Sequence, residues 1–151
     1  MKNIISAMSL IFILLFSLAS PALHAEGNKS LAVNDFKTMA NFRMTKCRLA
    51  AILVFAGVGP GLVRGSYPSI DECTAEGKSA VKPLFMAAKN QLINKSEASK
   101  LLKEYYILWL SSLDGIMPDI GESKNDYDLR NNVADRKLKE TWTRFELEAE
   151  N

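Results

Sequence analysis

The chain has 151 residues, with 19 basic and 17 acidic side chains, one histidine and two cysteines. A formal charge of +2 with mixed signs throughout gives no support for nucleic acid or an anionic membrane surface as a partner. The single histidine, His24, lies close to the N-terminus. The remaining chain therefore has no imidazole for a Ser-His-Asp or Cys-His system, or for a His-ligated zinc or haem. We expect a non-enzymatic protein without a cofactor or metal.

Residues 1–25 have the pattern of a secretory signal peptide. Lys2 precedes an apolar run from Ile4 to Leu18, and small residues follow it. The run is shorter than the roughly 20 residues that a spanning helix needs. We expect cleavage after Ala25 or after Ala22. No cysteine lies directly after the run, which disfavours a lipid anchor. The prediction is a periplasmic or secreted protein whose residues 26–151 form one helical domain.

The two cysteines, Cys47 and Cys73, bound the stretch CRLAAILVFAGVGPGLVRGSYPSIDEC. In an oxidising compartment, an even number of cysteines predicts a disulfide. Closing a loop of roughly 27 residues stabilises a protein by about 3.5 kcal/mol in the chain-entropy treatment. A redox role is disfavoured because there is no C-x-x-C pair.

The first helix is predicted over residues 31–56. Its core face repeats at helical spacing, and it includes the following residues: Phe36, Ala40, Met44, Cys47, Ala51 and Val54. From Leu49 to Phe55 the helix is apolar nearly all round, which predicts burial of that end on several sides.

A glycine-rich connection is predicted after the first helix, where Gly57 and Pro60 stop the helical ladder. Cys47 lies deeper in its helix than Cys73 does in the next one, so the connection is expected to fold back as an ordered flap. Arg64 and Tyr67 project from this flap and are candidate partner-binding residues. Alternatively, Tyr67 covers the disulfide and Arg64 is a solvated charge.

Three further helices follow in the sequence. A capping box from Ser69 to Glu72 predicts a second helix from about Ile70, in which Pro83 causes either a kink or a break. Ser96 is expected to cap a third helix. A charged last helix is expected over residues 127–149, with Asp135 and Lys139 as an i,i+4 pair. No segment alternates like a strand. The prediction is all-α, four main helices in an antiparallel bundle with one disulfide joining the first two.

Two residue clusters have alternative interpretations. The first is an aromatic set expected between the last two helices: Tyr105, Tyr106, Trp109, Trp142 and Phe145. This set either packs as part of the core or lines a cavity for an apolar ligand. The last connection carries four acids: Asp119, Glu122, Asp126 and Asp128. Their spacing does not match an EF-hand. They indicate a solvated loop in which Asp126 or Asp128 caps the helix.

These patterns favour an exported helical binding or interaction protein that acts through the disulfide-stapled glycine-rich flap. Its partner is expected to be another protein of the exported compartment, and an inhibitor or immunity-type protein is one form of this function. The first alternative is a small carrier of an apolar ligand between the third and fourth helices. The second, a carboxylate-dependent enzyme, is less favoured by the composition.

Overall fold

The computed structural model describes residues 22–57 and 69–150, with side chains described from Leu31 onward. Within these ranges the chain forms helices and no strand. The four helices are α1 (Ala22–Phe55), α2 (Ile70–Gln91), α3 (Ser96–Asp114) and α4 (Lys124–Glu150). None of them is long and apolar enough to cross a membrane. The predicted all-α fold is confirmed.

The helices are arranged as two antiparallel hairpins. In the first, α1 packs along α2, with Phe36 near Phe85 and Cys47 bonded to Cys73. In the second, α3 packs along α4, and Tyr105 lies against Trp142. The two hairpins pack against each other less closely than the helices within each hairpin do, since α1 and α4 approach each other mainly through side chains.

The helix starts follow local sequence signals in two of three cases. The predicted capping box of α2 is confirmed, because Ser69 Oγ accepts from Glu72 N at 3.2 Å and Ser69 N donates to Glu72 Oε2 at 3.0 Å. At α4 the cap is Ser123, whose Oγ accepts from Asp126 N at 3.2 Å. The predicted Ser96 cap of α3 is wrong, since Ser96 is its first helical residue and Lys95 precedes it without a side-chain bond.

Pro83 does not break α2. The helix runs without interruption from Ile70 to Gln91, and Pro83 lies on its exposed side, as its position on the helical wheel predicts. An outward proline removes one backbone bond without inserting its ring into the core.

The core is built around aromatic rings contributed by all four helices. Phe36 of α1 lies 5.8 Å from Phe85 of α2, 5.9 Å from Tyr105 of α3 and 6.5 Å from Trp142 of α4, measured between ring centroids. The indole of Trp109 is buried, and its Nε1 donates to the backbone oxygen of Ala40 at 2.9 Å. This bond runs from α3 to α1, so it ties one hairpin to the other.

The C-terminal turns of α1 are less buried than expected. Leu49, Ile52 and Val54 are 40–49% exposed, so the prediction of burial on several sides is wrong. Phe55 lies about 12 Å beyond Cys47 along the helix, whereas α2 begins only about 4.5 Å before Cys73. Since the two cysteines are opposite each other, α1 extends past the start of α2 and its last turns have no α2 neighbour.

The N-terminal end of α1 also differs from expectation, because the helix begins at Ala22 and not near Leu31. Residues 1–21 lie outside the described part of the chain. The signal peptide therefore stays a prediction, and both expected cleavage positions fall in the first turns of this helix.

Candidate functional site

The predicted disulfide is present between Cys47 and Cys73. The Cα atoms are 5.5 Å apart and both residues are fully buried, so the bond lies inside the core between α1 and the first turn of α2. A buried disulfide fits a protein that resides outside the cytoplasm. We call this end of the molecule the stapled end: it comprises the C-terminal turns of α1 and α3, the first turns of α2 and α4, and the α3–α4 loop.

The flap begins and ends at the stapled end. Gly57 has a φ of +70°, a backbone conformation that favours glycine, and its N–H donates to the oxygen of Val54 at 3.0 Å. This confirms Gly57 as the residue at which α1 stops. The rest of the flap, residues 58–68, lies outside the described residues. Arg64 and Tyr67 therefore stay predicted partner-binding residues.

A single arginine holds the α3–α4 loop at the same end. Arg130 donates from Nε and Nη2 to the Glu122 carboxylate at 3.0 and 2.8 Å. It also donates to the backbone oxygens of Gly115 and, at 3.3 Å, Met117. We call these contacts the Arg130 clamp. It closes the loop by joining its first residues and Glu122 to the first turns of α4.

Within the clamp, Glu122 and Arg130 each shift the pKa of the other. The hydrogen bond from Arg130 lowers the pKa of the Glu122 carboxyl, and the same bond raises the pKa of the Arg130 guanidinium. Glu122 Oε2 accepts a further bond from Asp119 N at 3.0 Å. Gly121 has a φ of +81° and turns the chain between these residues. The loop is therefore ordered by its own hydrogen bonds as well as by Arg130.

The clamped loop presents an isoleucine to solvent. Ile120 is fully exposed, and three other large apolar side chains of the stapled end are at least 46% exposed: Val54, Met117 and Leu129. Exposed apolar side chains surrounded by polar residues mark interaction sites more often than scattered ones do. Asp119 and Lys124 supply charge beside Ile120 in the sequence.

Tyr127 connects the loop region to α1. It is buried, with its ring centroid 5.1 Å from that of Phe55 and the Arg130 guanidinium 5.4 Å above its ring. Burial is the main reason that the pKa of Tyr127 is raised. The last turn of α1, which the flap follows, is thereby held against the start of α4.

A groove of about 550 Å³ lies between α1 and α4, and ion pairs cross it. Arg48 donates two bonds to the Asp135 carboxylate, at 2.6 and 2.7 Å. Lys37 lies 4.0 Å from the Trp142 ring centroid and 3.6 Å from Glu146. The predicted i,i+4 pairing of Asp135 is therefore wrong, because Arg48 of another helix makes the better bidentate contact.

Two titratable groups of this groove are shifted mainly by burial. The pKa of Tyr105, which lies on the floor, is raised to about 12 by burial and then by the Asp135 charge. Burial lowers the pKa of Lys37, although the Glu146 carboxylate opposes that shift. The shift of Tyr105 moves its pKa away from neutral pH, where a general base works best.

The aromatic set that could have lined a ligand cavity instead packs against itself. Between ring centroids, Tyr105 is 5.0 Å from Trp142, Trp142 is 4.8 Å from Phe145, and Tyr106 is 6.1 Å from Trp109. The rings of Tyr105, Trp142 and Phe145 occupy the space between α3 and α4, whereas Tyr106 stacks on Phe85 of α2 at 4.1 Å. A separate open pocket of about 770 Å³ lies at the opposite end of the bundle, where Leu92 and Ile93 meet Phe145 and Ala149.

The loop acids are engaged in local contacts. Glu122 pairs with Arg130, Ser123 donates to Asp126 Oδ2 at 2.7 Å, and Lys124 pairs with Asp128 at 2.5 Å. In the described part of the chain, no group of three or more His, Cys, Asp or Glu side chains is placed to hold a metal ion. The loop is the predicted solvated connection, but Ser123 caps α4, and neither Asp126 nor Asp128 does.

Sequence reasoning did not identify Arg130 or Ile120 as site residues. The signal for Arg130 is an arginine among four acids at the start of a helix, but its carbonyl partners become apparent only when α3 and α4 are paired. No known protein provides a guide, because no protein-family model, curated protein or solved structure matches this chain.

Proposed function

We propose that the protein is an exported, non-enzymatic helical binding protein that holds another exported protein against its stapled end. The observation that carries this proposal is the fully exposed Ile120 on a loop held by the Arg130 clamp. Export itself rests on the signal-like sequence of residues 1–25 and on the disulfide. An inhibitor or immunity-type protein is one form of this function.

The clamp supports the proposal because it lowers the entropic cost of binding. Ordering a flexible loop at an interface costs about 0.5–1.5 kcal/mol for each immobilised side chain. A loop that is already hydrogen-bonded to Arg130 and Glu122 avoids part of this cost. Its apolar tip, Ile120, gains the most from burial against a partner, at about 25 cal/mol per Å² of apolar area.

The flap supports the proposal through its position. It leaves α1 at Gly57 and reaches α2 at Ser69, both at the stapled end. Arg64 and Tyr67 belong to it, and both residue types are enriched at interface hot spots. We propose that the flap and the clamped loop contact the same partner.

The test is affinity capture of the tagged protein, without residues 1–25, from its native compartment, followed by mass spectrometry. Ile120→Asp is expected to reduce recovery of a specific partner by about tenfold or more. The matched control is Ile93→Asp, which changes an isoleucine 79% exposed at the opposite end. Equal recovery from both variants, or no specific partner of the unchanged protein, would overturn the proposal. Arg64→Ala with Tyr67→Ala tests the flap separately.

A carrier of a small apolar ligand is the second candidate. The open pocket lined by Leu92, Ile93 and Phe145 favours it, although the space between α3 and α4 is filled by rings. Extraction of the purified protein with organic solvent and mass spectrometry would detect a stoichiometric lipid. That result, together with failure to capture a protein partner, would replace the first proposal with this one.

A carboxylate-dependent enzyme is the least supported reading. Asp135 and Glu146 both line the groove between α1 and α4. They lie about 16 Å apart along α4, farther than the about 5–9.5 Å between paired catalytic carboxylates of glycosidases. Each also has a basic partner, Arg48 and Lys37 respectively.

A further inference from the structure

The outward side of α1 carries a stripe with the spacing of a coiled-coil helix. Its seven members alternate by four and three residues and are all exposed: Leu31, Asp35, Thr38, Phe42, Thr45, Leu49 and Ile52. Six of the seven are uncharged. This outer stripe lies opposite the core face that contains Phe36 and Cys47. Four of the seven are apolar, and they occupy positions of the three-and-four spacing by which one helix packs against another: Leu31, Phe42, Leu49 and Ile52.

The apolar area of the outer stripe is large for a free surface. Leu31 is 56% exposed, Phe42 59%, Leu49 45% and Ile52 40%. A fully exposed side chain of this size has about 200 Å² of surface, so the four side chains together expose roughly 400 Å² of apolar surface per molecule. Two such surfaces, together with the threonines and the helix flanks, approach the about 1,000 Å² of a small specific interface.

We propose that the outer stripe is a homodimer interface in which α1 packs antiparallel against α1 of a second copy, centred near residue 40. This proposal goes beyond the binding function, because the stripe runs along the side of α1 and does not include Ile120. In a two-fold dimer the same surface contacts itself. The stripe must therefore be self-complementary.

The antiparallel pairing meets that requirement. With the centre at residue 40, Leu31 faces Leu49 of the second copy, Thr38 faces Phe42, and Asp35 faces Thr45. Leu31, Phe42 and Leu49 then meet either a leucine or a small threonine, and Asp35 lies beside a hydroxyl. A parallel pairing in register would place Asp35 against its own copy, and like charges in contact are destabilising.

Two charges that flank the stripe are also compatible with a second copy. Arg48 pairs with Asp135, and Lys46 lies 3.5 Å from Glu76, a carboxylate that it shares with Arg43. In the antiparallel pairing Arg48 and Lys46 face Ala32 and Asn34 of the second copy. Neither of these two charges therefore meets a like charge across the proposed interface.

Sedimentation velocity of the oxidised protein without residues 1–25, over a range up to about 100 μM, tests the proposal. A dimer is expected. Phe42→Lys is expected to raise the dimer dissociation constant by about tenfold or more. The matched control, Ile107→Lys, changes an isoleucine 54% exposed on α3 and should leave the dimer intact. Circular dichroism establishes that both variants are folded.

A protein that stays monomeric over this range, or a Phe42→Lys variant that dimerises normally, would overturn the proposal. Binding of a different protein to the stripe of a monomer would have the same consequence. The register is tested with Asn41→Cys and a short bismaleimide, because Asn41 lies close to its own copy near the proposed centre. Cross-linking at Thr38→Cys but not at Asn41→Cys would indicate a parallel dimer and contradict the proposed arrangement.

Discussion

The two hairpins are fastened at the same end of the molecule by different chemistry. The α1–α2 hairpin is held by a buried covalent bond between Cys47 and Cys73. The α3–α4 hairpin is held by the Arg130 clamp, whose contacts are hydrogen bonds and an ion pair. The covalent bond resists acid and salt but responds to thiols, whereas the clamp is expected to respond to acid and not to thiols.

The fastenings also differ in what they order. The disulfide acts on two helices, because it lies inside the core between α1 and α2. The clamp acts on the α3–α4 loop itself, by binding the oxygens of Gly115 and Met117. A covalent staple thus sets helix positions, and a multidentate side chain sets the shape of a loop.

The largest expected effect is loss of the staple. Cys47→Ala with Cys73→Ala should lower the free energy of unfolding by about 3.5 kcal/mol, since the sequence separation of 26 sets the entropy of the closed loop. Urea unfolding followed by circular dichroism measures it. Reductant should destabilise the unchanged protein and leave the double variant unaffected. A loss under about 1 kcal/mol would mean that the staple contributes little beyond core packing.

Loss of the clamp should have a smaller effect. Arg130→Met is expected to cost about 1–2 kcal/mol, because Gly115 O and the Glu122 carboxylate lose their partner in a partly exposed site. The measurement is the same urea titration, with Arg136→Met as a control on the exposed surface of α4. Equal costs for the two variants would show that the clamp does not stabilise the fold.

The helix caps provide a matched pair across the two hairpins. Ser69→Ala and Ser123→Ala should each cost about 1 kcal/mol, since each hydroxyl accepts one amide bond at 3.2 Å. Thermal unfolding of the two variants side by side checks this expectation. A cost confined to Ser123→Ala would indicate that the nearby disulfide already fixes the start of α2.

The smallest effect is the pH response of the clamp. The folded pKa of Glu122 lies below the ordinary value of 4.5, so the unfolded state binds its proton more readily. The stabilisation is therefore complete above about pH 4.5 and is lost as the pH falls through the folded pKa. Glu122→Gln should flatten this part of the pH dependence of the urea midpoint. Identical curves for the variant and the unchanged protein would contradict this interpretation.

The parts of the fold that could be predicted are those determined by local pattern. Helical spacing identified the core faces, and Phe36, Ala40, Cys47 and Ala51 are all fully buried. The capping box located the start of α2, because its bonds join residues only three apart. The disulfide followed from the number of cysteines and the expected compartment.

The parts that could not be predicted depend on how the helices are placed beside each other. The exposure of Val54 depends on where α2 begins relative to the end of α1, which local spacing does not show. The partner of Asp135 is Arg48, 87 residues away in the sequence, and local spacing favoured Lys139 instead. Arg130 was visible as a charge among acids, but its backbone partners come from the end of α3.

The hydrogen bond from Trp109 to Ala40 makes the indole fluorescence a probe of how the two hairpins are docked. Trp109 and Trp142 are both buried, so both should emit at short wavelength in the folded protein. Only Trp109 hydrogen-bonds across to α1, and separation of the hairpins would bring its ring into water while the helices persist. A red shift that precedes the loss of helical ellipticity would then reveal undocking as a step distinct from unfolding, without any attached label.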